Sequence, residues 1–388
     1  MTEEENILIC TDCVKDIRYK KLIIGLNNKD LCTCCQNKNY VIDTDSSDFI
    51  QMTKALIRYH YSEWDYNHHF GGVNFINFFE EDDNIFLSKQ NFKNLEVYEE
   101  LLNRIANVEV YEEYDKGVSL FAGYYHDGEQ LPLLESVKSI QDGSIVNIKN
   151  KLITENYFKY EDELSEILST YSTNCKIIIE RKKEYYRARI GFAKKKRDIS
   201  NFDFETEMVY ESFSNSEIGA PPPHLAGDGR INRIGVSYLY CATDKYTAIA
   251  EIRPHPGDII SIGKFVVKED LSVFDLTAGQ FVKYFNSDKN LAGYTQLNTC
   301  TELLQKVVTP SERRSYNITQ LLADCIRKLN FDAILFPSSV SSGENLVVFN
   351  PEKMEYTYDD AEVVEINKVS YDYFKRMSVK DINEIDSI

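Results

Sequence analysis

Apolar and polar positions recur with two different periods along this chain, and the change near residue 175 divides it. Before that point the period is helical. Ser46, Ser47 and Asp48 offer N-caps to an amphipathic run with Ile50, Leu56, Ile57 and Tyr61 near one face. Further helices are predicted over Asn94 to Ala106, Leu133 to Ile140 behind Pro132, and Asp162 to Tyr171, with turns at Gly71-Gly72 and Asp127-Gly128. Beyond residue 175 the period falls to two, or the run is continuously apolar, as strands require. Such stretches are Lys176 to Glu180, Tyr185 to Ile190, Val236 to Ala242, Ile259 to Val267, Leu271 to Leu276, Phe331 to Phe336 and Asn345 to Phe349. Two helices interrupt them, Asp244 to Ile252 and Ile318 to Leu329, the second capped by Asn317. The expected fold class is therefore α+β. Four segments follow: 1–45, rich in cysteine; 46–175, mostly helical; 176–356, a mixed sheet domain; and 357–388, an acidic tail with a weak helical pattern.

Composition narrows the function classes. With 43% hydrophobic and 12% aromatic residues the chain can bury well-formed cores. The net charge of −18 argues against nucleic-acid or anionic-membrane partners, because such binding neutralises phosphates with Lys and Arg. The acidic N-terminus has no apolar run and no eighteen apolar residues stand together anywhere, so a cytoplasmic protein without a membrane span is expected. Aromatics from Tyr59 through Trp64, Phe70 and Phe79 are expected in a core. The spacing of Arg58 from His60 and His68 does not match the Arg-to-His motif of HEPN-class ribonucleases, so no catalytic role is assigned to His60, His68 or His69.

Nine cysteines, an odd number unevenly spread, fit a reducing compartment with a metal site. Cys10 and Cys13 form one CxxC and Cys32 and Cys35 another, a spacing typical of four-thiolate zinc sites. Cys34 leaves the fourth ligand open between itself and Cys35. A closed site of this kind is structural, and chelation is expected to unfold residues 1–45 while sparing the chemistry of the C-terminal half.

Candidate chemistry concentrates between Gly219 and Gly257. Arg230 lies in a Pro/Gly-rich loop, Tyr238 and Tyr240 on the following strand, and Glu251 in the last turn of the next helix. A carboxylate is badly placed there, since a helix C-terminus carries partial negative charge. Glu251 therefore either pairs with Arg253 or serves chemistry. In Tyr185 to Ile190 the strand period puts Arg187 and Arg189 on one face. The run Lys194 to Arg197 reads as an exposed loop, and His224 and His255, beside prolines, as loop residues.

These residues, in this order, resemble the RES domain family. Arg187 in "YRAR", Arg230 and Tyr240 in "GR…G…YLY", Glu251 in "AIAE", Tyr316 and Gln320 in "YNITQLLADCIRKLNFDAI", Ser338 in a Pro-Ser turn, then Asn345 and Asn350-Pro351 carry the likeness. Ile231 stands where many members have tryptophan. The cysteine knuckle and helices resemble the N-terminal module, named after HEPN proteins, that accompanies some RES domains. The resemblance implies an ADP-ribosyltransferase-like mixed sheet and an NAD-degrading toxin that cleaves the nicotinamide–ribose bond, with phosphate or water as acceptor. It implies a role in a toxin–antitoxin pair or antiviral defence, an antitoxin or defence partner, and at least a dimer.

The same resemblance implies Arg187, Glu251, Tyr240 and Ser338 as catalytic residues. Arg187, Arg230, Tyr240, Ser338, Asn345 and Arg189 would bind NAD, Arg189 being the extra cation a phosphate acceptor needs. The chemistry agrees with the residue types: guanidinium forks hold a diphosphate, and a fixed carboxylate stabilises the oxocarbenium-like ribose. The alternatives are a mono-ADP-ribosyltransferase and a non-catalytic nucleotide-binding scaffold.

Overall fold

The computed structural model describes residues 6–66, 84–106, 118–119, 123–124, 135–197, 208–284, 288–306 and 316–370. At its start β1 (Leu8–Cys10), β2 (Lys29–Leu31) and β3 (Lys38–Asp43) make an antiparallel sheet in the order β1-β3-β2. Between β1 and β2 runs α1 (Ile17–Gly25), begun by Asp16, whose carboxylate accepts the Arg18 amide at 2.7 Å. Next, α2 (Ser47–His60) starts at Ser46, whose Oγ accepts from the Phe49 amide, and buries Phe49, Met52, Leu56 and Ile57 at helical spacing. After one helical turn at Glu63–Tyr66 come three longer helices: α3 (Leu95–Ala106), α4 (Gly143–Lys151) and α5 (Glu161–Tyr171). The helix expected over Leu133 to Ile140 is reduced to one 3₁₀ turn at Val137–Ser139, with residues 133 and 134 outside the described set. The turns at Gly71-Gly72 and Asp127-Gly128, and His68, His69, Phe70 and Phe79, also lie outside it.

The C-terminal half is built on one mixed eight-stranded sheet. Its strands are β4 (Lys176–Ile179), β5 (Glu184–Ile190), β6 (Leu239–Ala242), β7 (Ile259–Val267), β8 (Leu271–Asp275), β9 (Ala333–Pro337), β10 (Glu344–Val348) and β11 (Met354–Glu365). Their order is β11-β7-β5-β6-β10-β9-β8-β4, with only β8 and β9 parallel. Around it lie α6 (Lys245–Glu251), α7 (Asp288–Gln305) and α8 (Asn317–Lys328). Expectation fails at three places. Residues 357–365, read as the start of a weakly helical tail, extend β11 along β7 as far as Glu365. The run Lys194–Arg197 is not a loop but pairs with Met208–Glu211 in a ribbon. Asn317 does not cap α8; it is the first helical residue, and its Nδ2 donates to the Leu152 carbonyl at 3.3 Å.

A single apolar core joins the two halves. It runs from Ile7, Ile9 and Tyr19 through Leu56 and Leu101 to Phe274, Leu321, Ile334 and Val347. α8 alone contributes Ile318, Leu321, Leu322 and Ile326, each stabilising by roughly 1.5–3 kcal/mol. Tyr59 of α2 donates to Asn298 Oδ1 on α7 at 2.8 Å, its ring edge-on to Phe281. The opposite face of the sheet packs Leu239, Cys241, Leu335 and Leu346 against Ile218, Phe265 and Met354. The N-terminal segment is thus part of the wall that the sheet leans on, not a separable appendage.

Candidate active site

Strand β6 pairs with β10 over all four of its residues but with β5 at one point, Ala242 opposite Tyr186. The sheet opens where that pairing ends, leaving a cleft of about 240 Å³. Arg187, Arg230, Tyr240, Glu251, Phe336 and Asn345 are among the residues that line it. On β5, Arg187 Nη1 donates to the Tyr240 carbonyl at 2.9 Å, while its buried Nε has no partner among the described residues. Burial depresses its pKa by disfavouring the charge. A buried cation with an unsatisfied donor in a cleft wall is suited to an anionic ligand. Arg189, expected beside it, does not line the cleft. It donates to the Glu217 carbonyl and lies 4.6 Å over the Phe213 ring.

Helix α6 delivers Glu251. Asp244 caps it, accepting the Thr247 amide at 2.8 Å and the Thr247 hydroxyl at 2.7 Å. Gly343 packs on this cap, where an added Cβ would fall 2.2 Å from Thr247 Oγ1, so glycine is required for the close approach. At the far end Glu251 makes no ion pair with Arg253 among the described residues. Its Oε1 instead accepts Ser338 Oγ at 2.6 Å and Asn345 Nδ2 at 2.6 Å. Two donors offset the unfavourable helix end and hold the carboxylate in one orientation at the cleft wall. Ser338 and Asn345 therefore act on Glu251 directly.

The loop before β6 shapes the remaining wall. Tyr240 donates its hydroxyl to Asn232 Oδ1 at 2.7 Å and accepts the Ile231 amide at 3.2 Å, and burial raises its pKa well above the ordinary value. Tyr240 thus lines the cleft with its hydroxyl already engaged. Gln320 of α8 donates to Asp228 Oδ1 and to the Gly229 carbonyl, at 2.7 and 2.8 Å, fixing the loop from behind. Arg230 Nη1 donates to the Leu304 carbonyl on α7 at 2.6 Å, which places the guanidinium at the cleft. Ile231 is buried in the shared core. Asn232, which also donates to the Gly227 and Val236 carbonyls, was not anticipated, since an asparagine between two arginines carries no signal of its own.

Far from the cleft in sequence, the sulfurs of Cys10, Cys13, Cys32 and Cys35 lie within 4.8 Å of one another, all buried. Cys10 and Cys35 are 3.5 Å apart, and Cys13 and Cys32 3.8 Å. Cys34 is buried but outside that four-residue set. The arrangement can hold a metal ion.

Residues 204–367 match the RES domain. This chain carries a RES domain. The match takes in Arg230, Tyr240, Glu251, Ser338 and Asn345, and starts after β5, so Arg187 comes from a strand before it. No curated protein matches the chain. Among solved structures, the crystal structure of the M. tuberculosis MbcT-MbcA toxin-antitoxin complex has a chain similar to this one. It covers 53% of this chain and 94% of its own at 15% identity, with a TM-score of 0.29. No described helix is long and apolar enough to cross a membrane.

Proposed function

We propose that this RES domain cleaves the nicotinamide–ribose bond of NAD+, with inorganic phosphate or water as acceptor, as the toxin of a toxin–antitoxin or antiviral defence system. The observation that carries the proposal is the Glu251 carboxylate, held by Ser338 and Asn345 in the same cleft that Arg187 and Arg230 line. Arg187 and Arg230 hold the diphosphate, one through its unsatisfied buried Nε. The Tyr240 ring packs against the nicotinamide ribose. As neutral nicotinamide departs, positive charge grows on the ribose, and the fixed carboxylate binds that charge more strongly than it binds the ground state. The protein acts as a homo-oligomer restrained by a partner protein.

The four N-terminal thiolates fit zinc. A tetrahedron with Zn–S bonds of about 2.3 Å has S–S edges of about 3.8 Å, close to the separations of the Cys10–Cys35 and Cys13–Cys32 pairs. The ion would supply cross-linking of the fold, since four sulfur ligands leave no position for water.

Incubating the purified protein with NAD+, with and without phosphate, and identifying products by mass spectrometry tests the proposal. Free nicotinamide with ADP-ribose-1″-phosphate or ADP-ribose is expected. Intact NAD+ in both conditions, or ADP-ribose attached to a macromolecule, would replace it.

A further inference from the structure

We propose that Lys21, in the N-terminal module, is a positioning residue for Glu251, acting through the hairpin between β9 and β10. The inference rests on Glu251 being the reactive carboxylate of the function proposed above.

Lys21 lies on α1, the helix that follows the Cys10 and Cys13 pair. Its Nζ donates to Glu344 Oε1 at 2.8 Å and to Thr277 Oγ1 at 2.8 Å. Glu344 opens β10 and stands opposite Pro337, which closes β9. The residue after Pro337 is Ser338 and the residue after Glu344 is Asn345. Those are the two donors to Glu251 Oε1. The rung that Lys21 grips therefore adjoins both donors of the carboxylate.

Backbone bonds already fix part of this hairpin. Ser338 donates its amide to the Gly343 carbonyl at 2.9 Å, and Thr243 and Glu344 exchange two bonds of 3.0 Å. These set the hairpin's register but leave the Glu344 side chain free to swing. Among the described residues no cation other than Lys21 lies within ion-pair distance of it. Both side chains are partly exposed, 29% and 26%, so solvent screens the pair and its share of global stability is small. Its effect lies in geometry, because displacing a reacting group by about 1 Å can cost roughly a hundredfold in rate.

The test uses the full chain and four variants: Lys21→Met, Glu344→Gln, the two combined, and the charge swap Lys21→Glu with Glu344→Lys. Steady-state kinetics with NAD+ and phosphate, and hydrogen exchange of the 338–345 segment, are measured on each. Each single variant is expected to lose roughly tenfold in kcat, less than a full ångström of misplacement would cost. KM should stay within about twofold, the combined variant should be no worse than either single one, and the swap should recover part of the loss. The exchange of residues 338–345 should quicken in both single variants while the melting temperature changes little. Wild-type kcat in Lys21→Met, losses that multiply, or unchanged exchange would each overturn the proposal. Should the wild-type protein leave NAD+ intact, the proposed function fails on its own, and the exchange measurement still decides whether Lys21 holds the hairpin.

Discussion

Ser338 and Glu251 stand 87 residues apart in the chain and meet at 2.6 Å between Oγ and Oε1. The bond ties a Pro-Ser turn at the end of β9 to the last residue of α6, and Asn345 reaches the same oxygen from β10. Three elements thus converge on one atom.

Replacing Glu251 with Gln removes the charge and keeps the shape. The fold should persist, with circular dichroism and melting temperature near wild type, while NAD+ cleavage falls by about a hundredfold or more, as loss of one preorganised electrostatic group does elsewhere. Product formation under single-turnover conditions measures it, and wild-type turnover would remove Glu251 from the chemistry.

Asn345→Ala takes away one of two charge-assisted donors. Such bonds are worth about 1.5–3 kcal/mol, so kcat is expected to fall roughly tenfold to a hundredfold with little change in KM. Ser338→Ala should behave alike, and the double variant should lose less than the product of the two, since both act on one carboxylate.

At Gly229 an added Cβ would stand 2.3 Å from Asn232 Oδ1 and 3.1 Å from the Tyr240 hydroxyl. Gly229→Ala should therefore break the Tyr240–Asn232 bond and destabilise the protein by about 1–3 kcal/mol, as overpacking does. Urea denaturation measures the loss.

His60 gives the fold an acid sensitivity. Burial lowers its pKa below the ordinary value of 6.5, more than Asp16 raises it. Asp16, which burial would raise, is held below 3.8 by the His60 hydrogen bond and the Arg18 charge. A group whose folded pKa is depressed binds more protons when unfolded, so stability rises with pH across its window. Stability should fall as pH drops through 6.5, and again below 3.8 as Asp16 is protonated. His60→Gln should abolish the upper step and, because His60 is also a partner of Asp16, reduce the lower one in denaturation curves taken across that range.

Zinc content by elemental analysis should approach one ion per chain and vanish on Cys13→Ala. Because the cysteines share a core with Leu321 and Val347, chelation should lower the melting temperature of the whole protein. Limited proteolysis that freed residues 1–45 and left the rest equally stable would contradict this.

The sequence announced elements with strong periodicity and clear caps. Asp244 ahead of α6, Ser46 ahead of α2 and the apolar stripe of α8 all have local causes, so they could be read locally. α4 escaped notice because it opens on Gly143 and buries only Ile145 and Ile148 within its span. β11 escaped because an edge strand dense in acids lacks clean alternation; its pairing with β7 makes it a strand. In the cleft, Arg187, Arg230, Tyr240, Glu251 and Asn345 come together from separate elements. The period of two put Arg189 beside Arg187 but could not foresee Phe213 and Glu217 drawing it away. Nor could any local pattern have paired Ser338 with Glu251 or Lys21 with Glu344, since only the packing of α6 and α1 against the β9–β10 hairpin makes those residues neighbours.

The strand order also bears on when the cleft comes into being during synthesis. β6 must pair with β10, and β10 carries Asn345, so a nascent chain that has made Arg187, Arg230 and Glu251 still lacks one side of the central sheet. Until the ribosome has released β10, the carboxylate lacks Asn345, and the Ser338 turn lacks the strand that holds it in register. The proposed NAD+ cleavage is thereby withheld until late in translation, which leaves time for the proposed restraining partner to be made alongside it.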